Sequence, residues 1–237
     1  MLKKLLSIFT ASPAQKKKSR PTISKSTIAP ATKQKPKVQP TRIGELGEHK
    51  INIQLDQLPK GCKYLSDLLV MNAKSRTGYS QIDHVVIAPW GLFVIETKNY
   101  NGEIQGKRED KSWTVSNRFK MYNPFMQNYG HIQAIKSYLP SYKEVRYISL
   151  VSFTMRCRFS VDPELRKIQS DDLIVYDIEL SEYIQRKMNR IQAEQPETIF
   201  SELDIQKIYV TLQEANITDL SVRAEDSDKA SKAKSTQ

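Results

Sequence analysis

Two apolar, β-rich runs of the sequence, residues 82–87 and 92–97, are separated by only four residues, Ala88-Pro89-Trp90-Gly91. Two such runs joined by a short segment with proline and glycine predict a β-hairpin with a four-residue loop. This hairpin constrains the fold more than any other feature, because its register decides which side chains of the two strands face each other. Charged residues interrupt the apolar pattern at the end of the hairpin away from the loop.

The charged residues at this open end are expected to lie together. Pairing outward from the loop places Asp83 opposite Glu96, with Cβ atoms roughly 4.5 to 5.5 Å apart. Alternation along the strand puts Lys98 on the same face as Glu96. Facing carboxylates repel, and a divalent cation between them relieves the repulsion; their oxygen ligands favour Mg²⁺ or Mn²⁺ over zinc. The alternatives are a solvated ion pair from Lys98 to one acid, or a one-residue bulge that breaks the pairing.

The rest of the pattern predicts a mixed α/β chain. Asn123 and Pro124 supply a cap and a first-turn proline for a helix that runs to about Leu139 and stops at Pro140. The other expected elements are a helix over residues 43–58, strands over 64–71, 145–153 and 173–176, and helices over 181–193 and 201–216. The order helix, three strands, helix, strand indicates a mixed sheet flanked by helices.

The net charge of +11 is confined to the start of the chain, because residues 1–42 hold eleven basic residues and no acid. Residues 11–41 are rich in Lys, Ser, Thr, Pro and Gln, so residues 1–42 are predicted to be a disordered basic tail. Such a charge asymmetry indicates nucleic acid or an anionic membrane surface as partner. The first nine residues are apolar and basic, which suits peripheral membrane contact, a frayed start or an organellar transit peptide.

Cys62 and Cys157 lie 95 positions apart without a CxxC pair, so neither a disulfide scaffold nor a zinc cluster is predicted. They are interpreted as reduced thiols of a cytoplasmic protein. The sequence has no run of 18 apolar residues, so no transmembrane segment is predicted.

Four motifs occur in order along residues 43–139. They are Gly-Glu-Leu-Gly-Glu at 44–48, Gln-Ile-Asp-His-Val-Val-Ile at 81–87, Gly-Leu-Phe-Val-Ile-Glu-Thr-Lys-Asn-Tyr-Asn-Gly at 91–102, and Asn-Pro with Gln-Asn and His within 123–131. Together they resemble the nuclease-related domain family, NERD, a branch of the PD-(D/E)xK restriction-endonuclease-like superfamily. The resemblance implies an αβββαβ core with its active site where the second and third strands diverge, which agrees with the register argument.

The resemblance also implies roles for individual residues. Asp83, Glu96 and the carbonyl of Thr97 become metal ligands, and Lys98 becomes the catalytic group that orients or activates the attacking water. Gln127 on the later helix becomes a second catalytic residue.

Two further assignments stay open. A first-helix glutamate usually completes the metal site, and Glu45 and Glu48 lie three apart on one helical face. Glu48 is favoured; an acidic first turn that complements the helix dipole is the alternative. His131 follows Gln127 by four residues and shares its helical face, where it is either functional or structural.

The predicted domains are the tail at 1–42, a NERD core at 43–140, a completion of the sheet with extra C-terminal helices at 141–220, and a disordered tail at 221–237. The predicted function is metal-dependent hydrolysis of phosphodiester bonds in DNA, or RNA. Non-specific affinity would come from the tail residues Lys16, Lys17, Lys18 and Arg20. The alternatives are a non-catalytic DNA-binding module and a membrane-surface adaptor; the sequence leaves the oligomeric state open.

Overall fold

The computed structural model describes residues 49–234 of the 237-residue chain. Residues 49–55 are helical and are called α1 here. The later elements are β1 (Lys63–Met71), β2 (Tyr79–Ala88), β3 (Gly91–Lys98), β4 (Gly102–Gly106), β5 (Ser112–Val115), β6 (Phe119–Tyr122), α2 (Pro124–Tyr138), β7 (Tyr147–Phe153), β8 (Cys157–Val161), β9 (Asp172–Tyr176), α3 (Leu180–Glu194), α4 (Glu202–Ala215) and α5 (Leu220–Lys234).

The main sheet has the strand order β1-β2-β3-β7-β9. Strands β1 to β3 are antiparallel, whereas β7 and β9 run parallel to β3. Helices α2 and α4 pack on one face, where Val85 and Val94 belong to the core. Helices α1 and α3 pack on the other face, against Val86 and Phe93. Both faces are therefore covered, which explains the nearly unbroken apolar runs. The predicted mixed sheet flanked by helices, with its αβββαβ order, is confirmed.

The central hairpin has the predicted register but a shorter loop. The ladder runs from His84 opposite Ile95 to Ala88 opposite Gly91, so only Pro89 and Trp90 form the turn. The four-residue loop is corrected to two residues, because Ala88 and Gly91 add one more pair in the same register. A Cβ on Gly91 would lie 2.8 Å from the carbonyl oxygen of Arg146, so only glycine fits there.

A second sheet, with the order β6-β5-β4-β8, was not predicted. It packs against the main sheet through a separate core that includes Trp113, Phe125 and Phe153. The chain leaves the main sheet after Lys98, forms β4, β5 and β6, and returns to begin α2. As predicted, Asn123 caps α2, and its Oδ1 accepts a hydrogen bond of 2.9 Å from the amide of Phe125.

The two ends of the described chain differ from the prediction. Helix α1 ends at residue 55, three residues before the predicted end, and residues 1–48 and 235–237 are outside the described range. The disordered tail expected from residue 221 is corrected, because Leu220–Lys234 form α5. This helix is supported by its cap, where the amide of Ser221 donates to Asp219 Oδ1 at 2.8 Å, and by an i,i+4 ion pair between Glu225 and Lys229. Within residues 49–234, no helix combines the length and apolar character that a membrane span requires.

Candidate active site

The open end of the central hairpin is where the chain departs from regular sheet pairing. The ladder between β2 and β3 ends at His84 and Ile95, just before Asp83 and Glu96. The ladder between β1 and β2 also omits the position of Asp83, and the facing Asp67 has a positive φ of 52°. Local departures of this kind are common beside functional sites, where they redirect side chains.

The Asp83 carboxylate reaches across to the end of β3. Its Oδ2 accepts hydrogen bonds from the amide of Thr97 at 2.7 Å and from the Thr97 hydroxyl at 2.6 Å. Its Oδ1 makes no hydrogen bond to the described residues. One carboxylate oxygen is therefore fixed by Thr97, whereas the other remains available for a ligand.

The Glu96 side chain lies beneath α2 and is 3% exposed. Its Oε1 accepts hydrogen bonds from Lys98 Nζ at 2.5 Å and from Gln127 Nε2 at 2.8 Å. Its Oε2 is buried without a hydrogen-bond partner in the described part of the chain, 3.4 Å from His131 Nδ1, which has none either. Buried polar atoms are usually satisfied, so this oxygen and this nitrogen are both able to contact a further group.

Lys98 and Gln127 complete a triangle with Glu96. Lys98 Nζ donates to Gln127 Oε1 at 3.0 Å as well as to Glu96. An ammonium group has three donors, so Lys98 retains one beyond these two bonds. Gln127 both accepts from the lysine and donates to the carboxylate, which fixes the relative positions of the two charged groups.

Burial governs the electrostatics of this cluster. It raises the pKa of Glu96 to about 7; the nearby Lys98 ammonium opposes this shift, and the Asp83 charge adds to it. Burial also lowers the pKa of His131 to about 4, so its ring is neutral at neutral pH. A buried carboxylate that is only partly compensated gains from a further positive charge.

One positioning residue was missed by sequence reasoning. Asn128 is fully buried, and its Nδ2 donates to the carbonyl of Val94 and to the Ser149 hydroxyl, both at 2.8 Å. These bonds fix α2 across β3 and β7, so that Gln127 and His131 lie over Glu96. The Gln-Asn pair was visible within the fourth motif, but the role of Asn128 depends on how the helix crosses the sheet.

The described residues supply part of the predicted metal site. Within residues 49–234 there is no group of three or more His, Cys, Asp or Glu side chains arranged to hold a metal. The predicted third acid, Glu48 or Glu45, lies outside that range. The remaining residues still fit a hard cation, because Asp83 Oδ1 and the buried Glu96 Oε2 are carboxylate oxygens without protein partners there.

The fold is mixed α/β, and comparison with known proteins identifies it as a nuclease-related domain. Residues 43–154 match the family model of the nuclease-related domain. An uncharacterised protein of Bacillus anthracis is 32% identical over 180 residues, which cover 74% of this chain and 78% of that protein. No solved structure matches the chain significantly. The chain belongs to the NERD family, whose wider context is the PD-(D/E)xK superfamily.

Proposed function

We propose that this protein is a metal-dependent nuclease that hydrolyses phosphodiester bonds in DNA. The observation that carries the proposal is the buried Glu96 carboxylate, which is held by Lys98 and Gln127 and keeps one oxygen without a partner in the described part of the chain. A buried carboxylate with one oxygen unpaired costs free energy, and a bound cation would offset that cost.

Asp83, Glu96 and the Thr97 carbonyl, together with Glu48 or Glu45, would hold Mg²⁺ or Mn²⁺. When bound, the cation supplies Lewis-acid activation of water and charge stabilisation at the phosphate. Thr97 keeps the Asp83 carboxylate oriented through its amide and hydroxyl. The protein therefore provides a fixed set of oxygens at the point where the strands separate.

Lys98 uses its remaining proton to orient the attacking water and to balance the negative charge that develops on the phosphate. Gln127 keeps the lysine ammonium in place through its side-chain oxygen, at 3.0 Å. His131 is neutral at neutral pH and lies against Glu96 Oε2, where it shields that oxygen from bulk solvent. These roles need the three side chains on one face of the sheet.

The basic tail supplies affinity in this proposal. Lys16, Lys17, Lys18 and Arg20 lie outside the described residues, and their charges neutralise phosphates without reading sequence. The cytoplasm is the proposed location, in keeping with Cys62 and Cys157, which are both free thiols.

Digestion of plasmid and oligonucleotide DNA with Mg²⁺, with Mn²⁺ or with chelator tests the proposal. The wild-type chain is expected to cleave with either metal and not with chelator, and Asp83→Asn should reduce the rate by about 100-fold or more. The control is Asp56→Asn, which removes an exposed carboxylate on the far side of the sheet. Equal cleavage by wild type and Asp83→Asn would contradict the proposal.

The same chains distinguish the alternatives. A non-catalytic binding module would retain DNA in a gel-shift measurement and leave the plasmid intact under every metal condition. A membrane-surface adaptor would float with anionic vesicles in the full-length form and sink without residues 1–42.

A further inference from the structure

The β5–β6 hairpin of the second sheet carries charge and exposed aromatic rings beside each other. Residues 107–122 contain five basic residues and two acids. On β6 and the turn before it, Arg118 and Lys120 are exposed, and neither forms an ion pair with the described residues. Phe119 is 66% exposed and Tyr122 is 52% exposed. Large exposed rings on a strand edge are a liability for a monomer unless they contact a partner.

The edge position of β6 makes these side chains accessible. In the order β6-β5-β4-β8, β6 is the terminal strand and only β5 pairs with it. Met121 points inward with Trp113, whereas Lys120 and Tyr122 share the outer face opposite Thr114 and Ser112. A basic residue and an aromatic ring two positions apart on one exposed face suit a phosphate and a neighbouring base.

The hairpin is rigid at its tip. Ser116 and Asn117 have positive φ values of 51° and 54°, the backbone of a tight turn. The Ser116 amide donates to the Glu103 carbonyl at 2.7 Å, and the Ser116 hydroxyl accepts from the Glu103 amide at 3.1 Å. A Cβ on Gly102 would lie 2.0 Å from that hydroxyl, so the contact requires glycine. Preformed surfaces bind with a smaller loss of entropy.

The hairpin is also coupled to the candidate active site. The chain from Lys98 to Gln127 contains the whole of β4, β5 and β6 between two residues of the site. Asn123, fully buried, donates from Nδ2 to the carbonyls of Arg108 at 2.8 Å and Asp110 at 2.7 Å while capping α2. The connection before β5 is thus fixed to the start of the helix that carries Gln127.

We propose that the β5–β6 hairpin binds a single-stranded stretch of nucleic acid, with Arg118 and Lys120 against phosphates and an unpaired base stacked on Tyr122. This inference rests on the proposed nuclease function and gives it a substrate class. Charge complementarity identifies the partner, because Lys120, which forms no ion pair with the described residues, lies beside the Tyr122 ring on the outer face. A protein strand that adds to the free edge of β6 is the competing occupant.

Binding of fluorescent oligothymidylate to the full-length chain, in chelator and over a range of salt, tests this inference. The wild type should bind it more tightly than a duplex of the same length. Arg118→Ala with Lys120→Ala should reduce the slope of log affinity against log salt by about 0.7 per lost phosphate contact. Tyr122→Ala should weaken binding by about fivefold or more, and Tyr122→Phe by less than about twofold.

The matched control removes two exposed lysines, Lys60 and Lys143, at the opposite end of the main sheet. The inference would be overturned if the Arg118 and Lys120 double variant had the same salt dependence of binding as this control. It would also be overturned if Tyr122→Ala bound oligothymidylate as tightly as the wild type, or if the wild type preferred the duplex. Because chelator excludes cleavage, the two proposals fail separately. If the wild type cleaves DNA and the hairpin variants bind oligothymidylate as it does, only the hairpin proposal is refuted. If the hairpin variants bind more weakly and the wild type does not cleave DNA, only the nuclease proposal is refuted.

Discussion

Two lysine ammonium groups, one near each face of the main sheet, are held in different ways. Lys187 on α3 is completely buried and pairs with the Asp171 carboxylate at 2.8 Å. It also donates to three backbone carbonyls, those of Ile168 at 3.0 Å, Gln169 at 3.1 Å and Ser170 at 2.7 Å. Lys98, on the α2 side and partly exposed, donates only to Glu96 and Gln127 among residues 49–234.

The difference separates a structural cluster from a candidate functional one. Around Lys187 the acceptors outnumber the three protons, so the ammonium has nothing left to offer a ligand. Beside Lys98, Glu96 Oε2 and His131 Nδ1 are buried without hydrogen-bond partners among residues 49–234. Full satisfaction is typical of groups that stabilise a fold, and incomplete satisfaction marks positions worth testing for function.

Replacing each lysine by methionine is expected to change a different property of the protein, and the change in cleavage rate at Lys98 is the larger one. Lys98→Met should reduce DNA cleavage by about 100-fold or more, because a charge that stabilises the transition state is lost. Its free energy of unfolding should change by less than about 1 kcal/mol, since Glu96 can take up a proton in place of the pair. Cleavage assays and urea unfolding of the same preparations measure both quantities.

Lys187→Met is the matched reverse case. It should lower the free energy of unfolding by about 2 to 4 kcal/mol, because buried carbonyls lose their donor. Its cleavage rate per folded molecule should equal that of wild type. If Lys187→Met impaired cleavage and Lys98→Met only stability, the assignment of the two clusters would be reversed.

A smaller effect is expected for Glu96→Gln, measured as stability against pH in chelator. The pKa of Glu96 is raised by burial to about 7, above its ordinary value of 4.5 in the unfolded chain. The contribution of Glu96 to the free energy of unfolding is therefore fully present below about pH 4.5 and is lost as the pH rises through about 7. Glu96→Gln removes this loss, so it should be about 1 to 3 kcal/mol more stable than wild type at slightly alkaline pH.

The control for this measurement is Glu109→Gln, which alters an exposed carboxylate of the second sheet region. It should follow the wild-type curve at every pH. If the stability of Glu96→Gln depended on pH as that of the wild type does, the Glu96 carboxylate would already be fully compensated. The two lysine clusters would then not differ in how completely their polar groups are satisfied.

The main sheet was predictable because its strands are long and their pattern allows one register. In the central hairpin, the short loop and the apolar pattern fix the pairing from Ala88 and Gly91 at the turn to His84 and Ile95. The second sheet was not predictable, because β5 and β6 have four residues each and Gly102 and Gly106 bound β4. Strands this short carry too little periodicity to distinguish them from loop.

The site was predictable as far as single elements determine it. Alternation along β3 places Glu96 and Lys98 on one face, and helical spacing places Gln127 and His131 together. The role of Asn128 was not predictable, nor was the Glu96 oxygen that lacks a partner among residues 49–234, because both depend on how α2 crosses β3 and β7. Helix α5 was missed because its sequence is polar on every side, while its cap at Asp219 is local and could have been noticed.

Binding of Mn²⁺ to the full-length chain, followed by electron paramagnetic resonance at slightly alkaline pH, tests whether the Glu96 carboxylate holds a cation. The account predicts one Mn²⁺ bound by the wild type and by Lys187→Met, and affinity about tenfold lower or worse for Glu96→Gln and Asp83→Asn. Equal Mn²⁺ affinity in wild type and Glu96→Gln would show that the half-satisfied carboxylate holds no cation, and would contradict the account.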